Sequence, residues 1–180
     1  MHIKPILYIY LAGRIDGLSQ KEATDWRNDA IKILSENGLV GVCPILHGGD
    51  FANNPENGVI NYARQAKIFE VDCDLIYRCD AIIANMGELS FGTSQEIFYG
   101  SQCLNIPVFA YNNKSTTSAF YYNTISLEKE TLEEIIEIIK AYNLKPTKGW
   151  AGSPKKLIRN LSTNWSQYFL PSDRLTKPNV

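Results

Sequence analysis

The apolar and polar positions along the chain fall into strands and helices that take turns. Ile3 to Ala12 is a continuous apolar, β-branched and aromatic run closed by Gly13. A strand with one wet face would alternate, so this run predicts a first strand buried on both faces. Ser19-Gln20-Lys21-Glu22 has the spacing of a capping box, and Ala23, Trp26, Ala30, Ile33, Leu34 and Asn37 recur at helical intervals up to Gly38. Leu39 to Cys43 then reads as a second strand, stopped by Pro44.

Residues 44–57 hold Gly, Pro and several Asn, which predicts a long loop. Helical spacing resumes through Ile60, Ala63, Ala66, Val71, Leu75 and Cys79, with Asp72 and Asp74 close to the same face. Asp80 to Asn85 predicts strand three, Thr93 to Leu104 a helix, and Ile106 to Tyr111 strand four. Thr124 to Leu127 is a candidate fifth strand, and the capping box Thr131-Leu132-Glu133-Glu134 opens a last helix to about Tyr142.

Strands alternating with helices imply an α/β domain with a doubly wound parallel sheet of four to five strands and right-handed crossovers. A ligand site in such a sheet lies at the carboxyl ends of the strands, where strand order reverses. Those ends are Gly13-Arg14-Ile15-Asp16-Gly17, the loop after Pro44, and Met86 to Gly92.

The predicted catalytic domain is residues 1–142, and 143–180 form a C-terminal extension of different character. The extension holds four prolines. Ser153-Pro154 suits a helix start, and Leu157, Ile158, Leu161, Trp165 and Phe169 make an apolar stripe, so one amphipathic basic helix is expected there.

Charge sharpens this division. Residues 1–142 carry 11 Lys and Arg against 18 Asp and Glu, whereas residues 143–180 carry 7 against 1. An acidic body is a poor nucleic-acid surface, so a small-molecule partner is expected in place of a polymer. The absence of any long apolar stretch predicts a cytoplasmic protein without a membrane span. The four cysteines, Cys43, Cys73, Cys79 and Cys103, form no CxxC pair and have only His2 and His47 as further soft ligands. They read as reduced, mostly buried thiols, and neither a metal site nor a cofactor is expected.

The densest chemistry follows strand three, in Ser90-Phe91-Gly92-Thr93-Ser94-Gln95-Glu96-Ile97. Small residues feeding a helix N-terminus present free N–H groups and partial positive charge, which favour anions. With the helix starting at Thr93, Glu96 falls in its first turn as an ionised carboxylate able to attack an anomeric carbon. The same spacing, Thr93-x-x-Glu96, is that of a third capping box, which would need no chemistry. Trp26 fits the inward stripe of the first helix and reads as core packing rather than base stacking. His47 and Asp50, in the Gly-rich loop, are further candidates for touching a ligand.

Tyr10-Leu11-Ala12-Gly13, Trp26-Arg27, Asp72 and Asp80 before an apolar strand, and Ser90-x-Gly92-Thr93-x-x-Glu96-Ile97 together resemble the nucleoside 2-deoxyribosyltransferase-like family over roughly residues 7–111. The resemblance implies a flavodoxin-like sheet and an enzyme that cleaves or exchanges the N-glycosidic bond of a nucleoside or its 5′-monophosphate. It makes Glu96 the nucleophile on C1′, Tyr10 the phenol that orients it, and Asp72 the acid that meets the nucleobase; Asp72 can equally be a solvated helix carboxylate. It also implies a homo-oligomer.

Ser90 stands where true deoxyribosyltransferases carry an Asp, and resembles instead the nucleoside 5′-monophosphate N-glycosidases, in which Ser helps hold phosphate. Transferase and hydrolase both stay open. Arg14 replaces the usual Pro after Leu-Ala-Gly and is either a phosphate clamp or a surface residue. The expected substrate contacts are therefore Gly13, Arg14, Asp16, His47, Asp50, Ser90, Gly92 and Thr93.

Two alternatives remain. Gly92-Thr93-x-x-Glu96 is similar to the Gly-Thr-x-x-Glu of lysine-decarboxylase-like phosphoribohydrolases, although Glu88-Leu89-Ser90-Phe91 replaces their Pro-Gly-Gly. A non-catalytic nucleotide sensor on the same fold is the other, but a mere binder of anions needs neither Glu96 nor Tyr10.

Overall fold

The computed structural model describes residues 6–47, 62–88, 90–114 and 118–141, all within the first of the two units of the chain, Met1–Trp150. Asp50 and the expected amphipathic helix of the extension lie outside the described residues.

Five strands, β1 (Tyr8–Gly13), β2 (Val40–Val42), β3 (Ala81–Asn85), β4 (Val108–Tyr111) and β5 (Leu127–Lys129), form one sheet in the order β2-β1-β3-β4-β5. Every pairing is parallel, with Tyr8 beside Val40, Gly13 beside Asn85, Ile82 beside Val108 and Phe109 beside Leu127. This is the flavodoxin-like order. The chain leaves β1 toward one edge and β3 toward the other, so the switch point falls between Gly13 and Asn85.

Among the described residues, six α-helices accompany the sheet: α1 (Gln20–Glu36), α2 (Pro44–His47), α3 (Tyr62–Arg78), α4 (Phe91–Phe98), α5 (Ala119–Thr124) and α6 (Leu132–Ala141). Helices α1 and α6 pack together, while α3 touches α4 and α4 touches α5. The β1 residues Leu7, Ile9 and Leu11, counting the residue before the strand, join Ala30 and Leu34 of α1 and Ile135, Ile136 and Ile139 of α6 in a buried cluster. Tyr10, at the intervening position, belongs to the opposite face, where α4 packs on β1. Both faces of β1 are thus dry, as its unbroken apolar run requires.

Local signals place the ends of α1. The Ser19 capping box is formed in both directions. Gly38, at φ 73°, closes the helix in a Schellman turn, with the Leu39 N–H reaching the Leu34 carbonyl. The Thr131–Glu134 box at the start of α6 is likewise reciprocal.

Four expectations need correction. The predicted loop after Pro44 begins as the short helix α2, because Pro at a first helical position costs no N–H. The helix predicted from Thr93 begins at Phe91, with Ser90 as its N-cap accepting from the Thr93 N–H. It ends at Phe98 and passes into a π-helical turn, Tyr99–Cys103, in which Gly100 lies so close to the sheet that a Cβ would stand 2.3 Å from Ile82 Cδ1. Finally, Thr124 belongs to the unpredicted helix α5, so the fifth strand is Leu127–Lys129 rather than Thr124–Leu127.

Candidate active site

At the carboxyl end of the sheet, α4 brings Glu96 over β1. The Tyr10 hydroxyl donates to Glu96 Oε1 at 2.7 Å. Tyr10 is fully buried and Glu96 half-buried, so the bond lies in a low-dielectric place where it is stronger than in water.

The start of α4 at Phe91 moves Glu96 from the first turn to the sixth helical position, and the Thr93–Glu96 capping box is not formed. The helix terminus therefore does not set its ionisation. Burial does, pushing the carboxyl up to about 8; the Tyr10 hydrogen bond and the positive charge of Arg27 pull it down, and the negative charge of Asp72 pushes it up. The expectation of a dipole-favoured anion is replaced by a desolvated acid poised near neutrality.

Asp72, on α3, is the second carboxyl of the site. It is half-buried, and burial raises it to about 6 against the pull of Arg27. Asp74, by contrast, pairs with Arg78 one turn on, at 2.8 Å. Of the two aspartates near one helix face, Asp72 is the one in electrostatic contact with Glu96 and Tyr10. Asp72 thus ionises first, at about pH 6, and Glu96 keeps its proton to about pH 8, so the two carboxyls hold one proton between these values.

At the N-terminus of α4 the Ser90 hydroxyl is bonded to Thr93 Oγ1 at 2.7 Å and accepts from the Thr93 N–H at 3.0 Å. Thr93 is buried, and its hydroxyl is engaged by that of Ser90. Gly92 is exposed, and a Cβ placed on it would meet nothing within 4 Å among the described residues, which leaves the first turn open to an approaching group. Beneath it, the Asn85 side-chain oxygen accepts from the Gly87 N–H and from Asn112 Nδ2, each at 3.1 Å, fixing the loop between β3 and α4.

The loop after β1 folds around Arg14. Its Nε donates to the Asp16 carbonyl at 2.9 Å, and its guanidinium forms an ion pair with Glu88 of the loop after β3. The pair bridges the two sides of the switch point. Asp16 thus contributes its carbonyl to this loop, and its side chain is exposed. Gly13 has a packing reason for its identity: a Cβ would stand 2.7 Å from the Trp26 ring. Trp26 is half-buried against the core and meets Tyr111 edge-on, ring centroids 6.3 Å apart, in keeping with its reading as packing. His47 is exposed, with Nδ1 bound at 2.8 Å to the carbonyl of Cys43, the residue before its helix, and is not drawn into the Tyr10–Glu96 group.

Arg27, beside Trp26, is a residue to which the sequence motif assigns no role. It is fully buried, its side chain reaching from α1 to the carbonyls at the end of β1. An Arg among the Ala and Leu positions of an otherwise apolar helix stripe was the available signal. Cys43, Cys73 and Cys79 are buried thiols and Cys103 is half-buried.

A flavodoxin-like sheet with an enclosed, phenol-bound carboxyl group beside its first strand defines the class as α/β. More particularly, the chain belongs to the nucleoside 2-deoxyribosyltransferase family, whose sequence profile matches residues 9–162. Among curated proteins none matches the sequence. Among solved structures, the fold is shared with a 2-deoxyribosyltransferase of Bacillus psychrosaccharolyticus, at 18% identity and a TM-score of 0.57, covering 78% of this chain and 99% of that one. A CMP N-glycosidase of Clostridium botulinum is more distant, at 20% identity and a TM-score of 0.46, covering 75% and 98%. Among the described residues, no helix is long and apolar enough to cross a membrane.

Proposed function

We propose that the protein cleaves or exchanges the N-glycosidic bond of a nucleoside or its 5′-monophosphate through a covalent glycosyl–Glu96 intermediate. The observation that carries this reading is the hydrogen bond from Tyr10 to Glu96 in a buried site at the switch point. Glu96 uses one oxygen on C1′, and Tyr10 holds the other, so that the free lone pair is aimed while the charge is stabilised.

As the C1′–O bond forms and the C1′–N bond breaks, the departing base takes the proton held by Asp72. In the second half, a free base or water attacks C1′, its proton passes to Asp72, and the ester returns the Glu96 carboxylate. Asp72, at about 6, ionises before Glu96, at about 8, so in the free protein the single proton rests on Glu96 and passes to Asp72 for this division to hold. The open first turn of α4 at Gly92, with Ser90 as its cap and Arg14 tied to Glu88 of the preceding loop, is the place proposed for the sugar and any 5′-phosphate.

The test is incubation with a panel of nucleosides and 5′-monophosphates, with and without a second free base, followed by chromatography of the products. Released base and a sugar adduct on the Glu96 peptide are expected. Exchange into the second base marks a transferase, and free sugar marks a hydrolase. No base release from any member of the panel would sink the reading.

A further inference from the structure

A buried guanidinium ordinarily lies against a carboxylate, because an unbalanced charge in the interior is costly. Arg27 does not follow that pattern. Its side chain donates to four backbone carbonyls: Ala23 at 2.6 Å, Gly13 at 2.7 Å, Leu11 at 3.4 Å and Arg14 at 3.5 Å. The Trp26 ring covers it, with the guanidinium carbon 4.4 Å from the centroid. Carbonyl dipoles and a π-face satisfy its N–H groups, yet they leave a full positive charge at the end of β1.

The position is specific. Arg27 starts from α1, in the layer of Leu11 and Leu34, and ends where β1 delivers Gly13 to the switch point. Tyr10 and Glu96 stand on the other face of the same strand. The titratable groups in electrostatic reach are Tyr10 of β1, Cys43 after β2, Asp72 of α3, Glu96 of α4 and Tyr111 of β4. Among the described residues, the carboxylates in that reach are the two of the site.

We propose that Arg27 is the positioning residue that gives the site its fixed positive charge, keeping one of Glu96 and Asp72 ionised while the other holds the proton. This rests on the reading of Glu96 as nucleophile and Asp72 as acid, and adds to it a residue that touches neither sugar nor base. Without Arg27, two buried acids in one low-dielectric site would both favour the neutral form, and no nucleophile would stand ready near neutral pH. The direction of its influence agrees: its charge pulls both carboxyls down against their burial. The carbonyl cage has a second consequence. Because Arg27 is held by backbone, it does not collapse onto either carboxylate, so it can stabilise the anion without occupying the attacking oxygen.

The test is Arg27→Gln, which keeps an N–H donor for the Gly13 carbonyl and removes the charge, beside Arg27→Lys, which keeps the charge. With Arg27→Gln, the acid limb of kcat/KM against pH should move up by about one unit or more, and kcat at pH 7 should fall at least tenfold with a smaller change in KM. Arg27→Lys should restore much of the limb. Melting temperature against pH is read in parallel and needs no turnover. Since the Arg27 interaction exists only with ionised carboxylates, the gap between wild type and Arg27→Gln should widen from pH 5 to pH 9.

A gap that stays constant with pH, together with an unmoved acid limb, would make Arg27 a packing residue and overturn the proposal. If Arg27→Gln does not fold, the Lys variant decides: a retained pH profile supports the charge, and activity lost with an unmoved limb refutes it. Glu96→Gln is assayed in the same series. If it stays active, the underlying reading fails; if it is inactive while Arg27→Gln matches wild type in both pH profiles, only the inference about Arg27 fails.

Discussion

Tyr10 and Glu96 are 86 positions apart in the chain, and the hydroxyl of one donates to the carboxylate of the other at 2.7 Å. Parallel pairing of β1 with β3, and the return of the chain over the sheet as α4, are what bring them together. The bond gives Glu96 a fixed orientation that no neighbour in sequence could supply.

Glu96→Gln should reduce turnover by orders of magnitude, because an amide cannot form the glycosyl ester. Since Glu96 caps no helix, the fold should not suffer. Burial holds its folded value, about 8, above the ordinary 4.5, so the wild type loses stability as pH rises through that window and the substitution escapes the loss. The melting temperature of Glu96→Gln relative to wild type should therefore climb from pH 5 to pH 8. Unfolding of the variant at neutral pH would contradict this.

Tyr10→Phe removes one charge-assisted hydrogen bond worth roughly 1.5–3 kcal/mol, so kcat should fall about ten- to a hundredfold. The Glu96 carboxyl should move further up, carrying the acid limb of the rate profile with it, since the hydroxyl favours the anion. An unchanged limb would mean that Tyr10 supports packing alone.

The rate profile itself should be bell-shaped, with kcat/KM falling below about pH 6 as the Glu96–Asp72 pair gains a second proton and above about pH 8 as it loses its last. Asp72→Asn should abolish the alkaline limb and slow poor leaving groups most. A profile flat from pH 5 to pH 9 would exclude the pair as the titrating unit.

Glu88 shares the Arg14 guanidinium that the proposal gives to a 5′-phosphate. Glu88→Gln should lower KM for monophosphates several-fold and leave nucleosides nearly unchanged, and Arg14→Ala should raise KM for monophosphates alone. If both substrate classes respond equally, Arg14 serves only to fix its loop.

A homo-oligomer is the expected state. Phe69, Phe91, Phe98, Phe120 and Tyr122, on α3, α4 and α5, are 55%, 81%, 42%, 78% and 59% exposed, a heavy aromatic load for helices on one side of the sheet. Light scattering at micromolar concentration should give a multiple of 20.3 kDa, reduced by Phe91→Asp with Phe120→Asp. A monomer in wild type would refute this.

By itself, the sequence determined the alternation of strands and helices, the buried first strand, the capping boxes at Ser19 and Thr131, and the Gly38 stop. Those features depend on contacts within a few residues or on burial of a continuous apolar run, both visible in a linear pattern. It also held the motif that led to Glu96, Tyr10 and Asp72.

Tertiary structure decided what local spacing left ambiguous. Thr93-x-x-Glu96 fits a capping box as well as a catalytic segment, and only the selection of Ser90 as the cap freed Glu96 to meet Tyr10. Helix α5 and the shift of β5 to Leu127–Lys129 depend on packing against α4 and pairing with β4, which carry no signal in so short a segment. The ionisation of Glu96 was read from a helix terminus and is set by burial, a property of the folded surroundings. Arg27 was hidden for the same reason: apart from the Trp26 ring and the Ala23 carbonyl of its own helix, its environment is made by the carbonyls of Leu11, Gly13 and Arg14 and by two carboxylates of other elements.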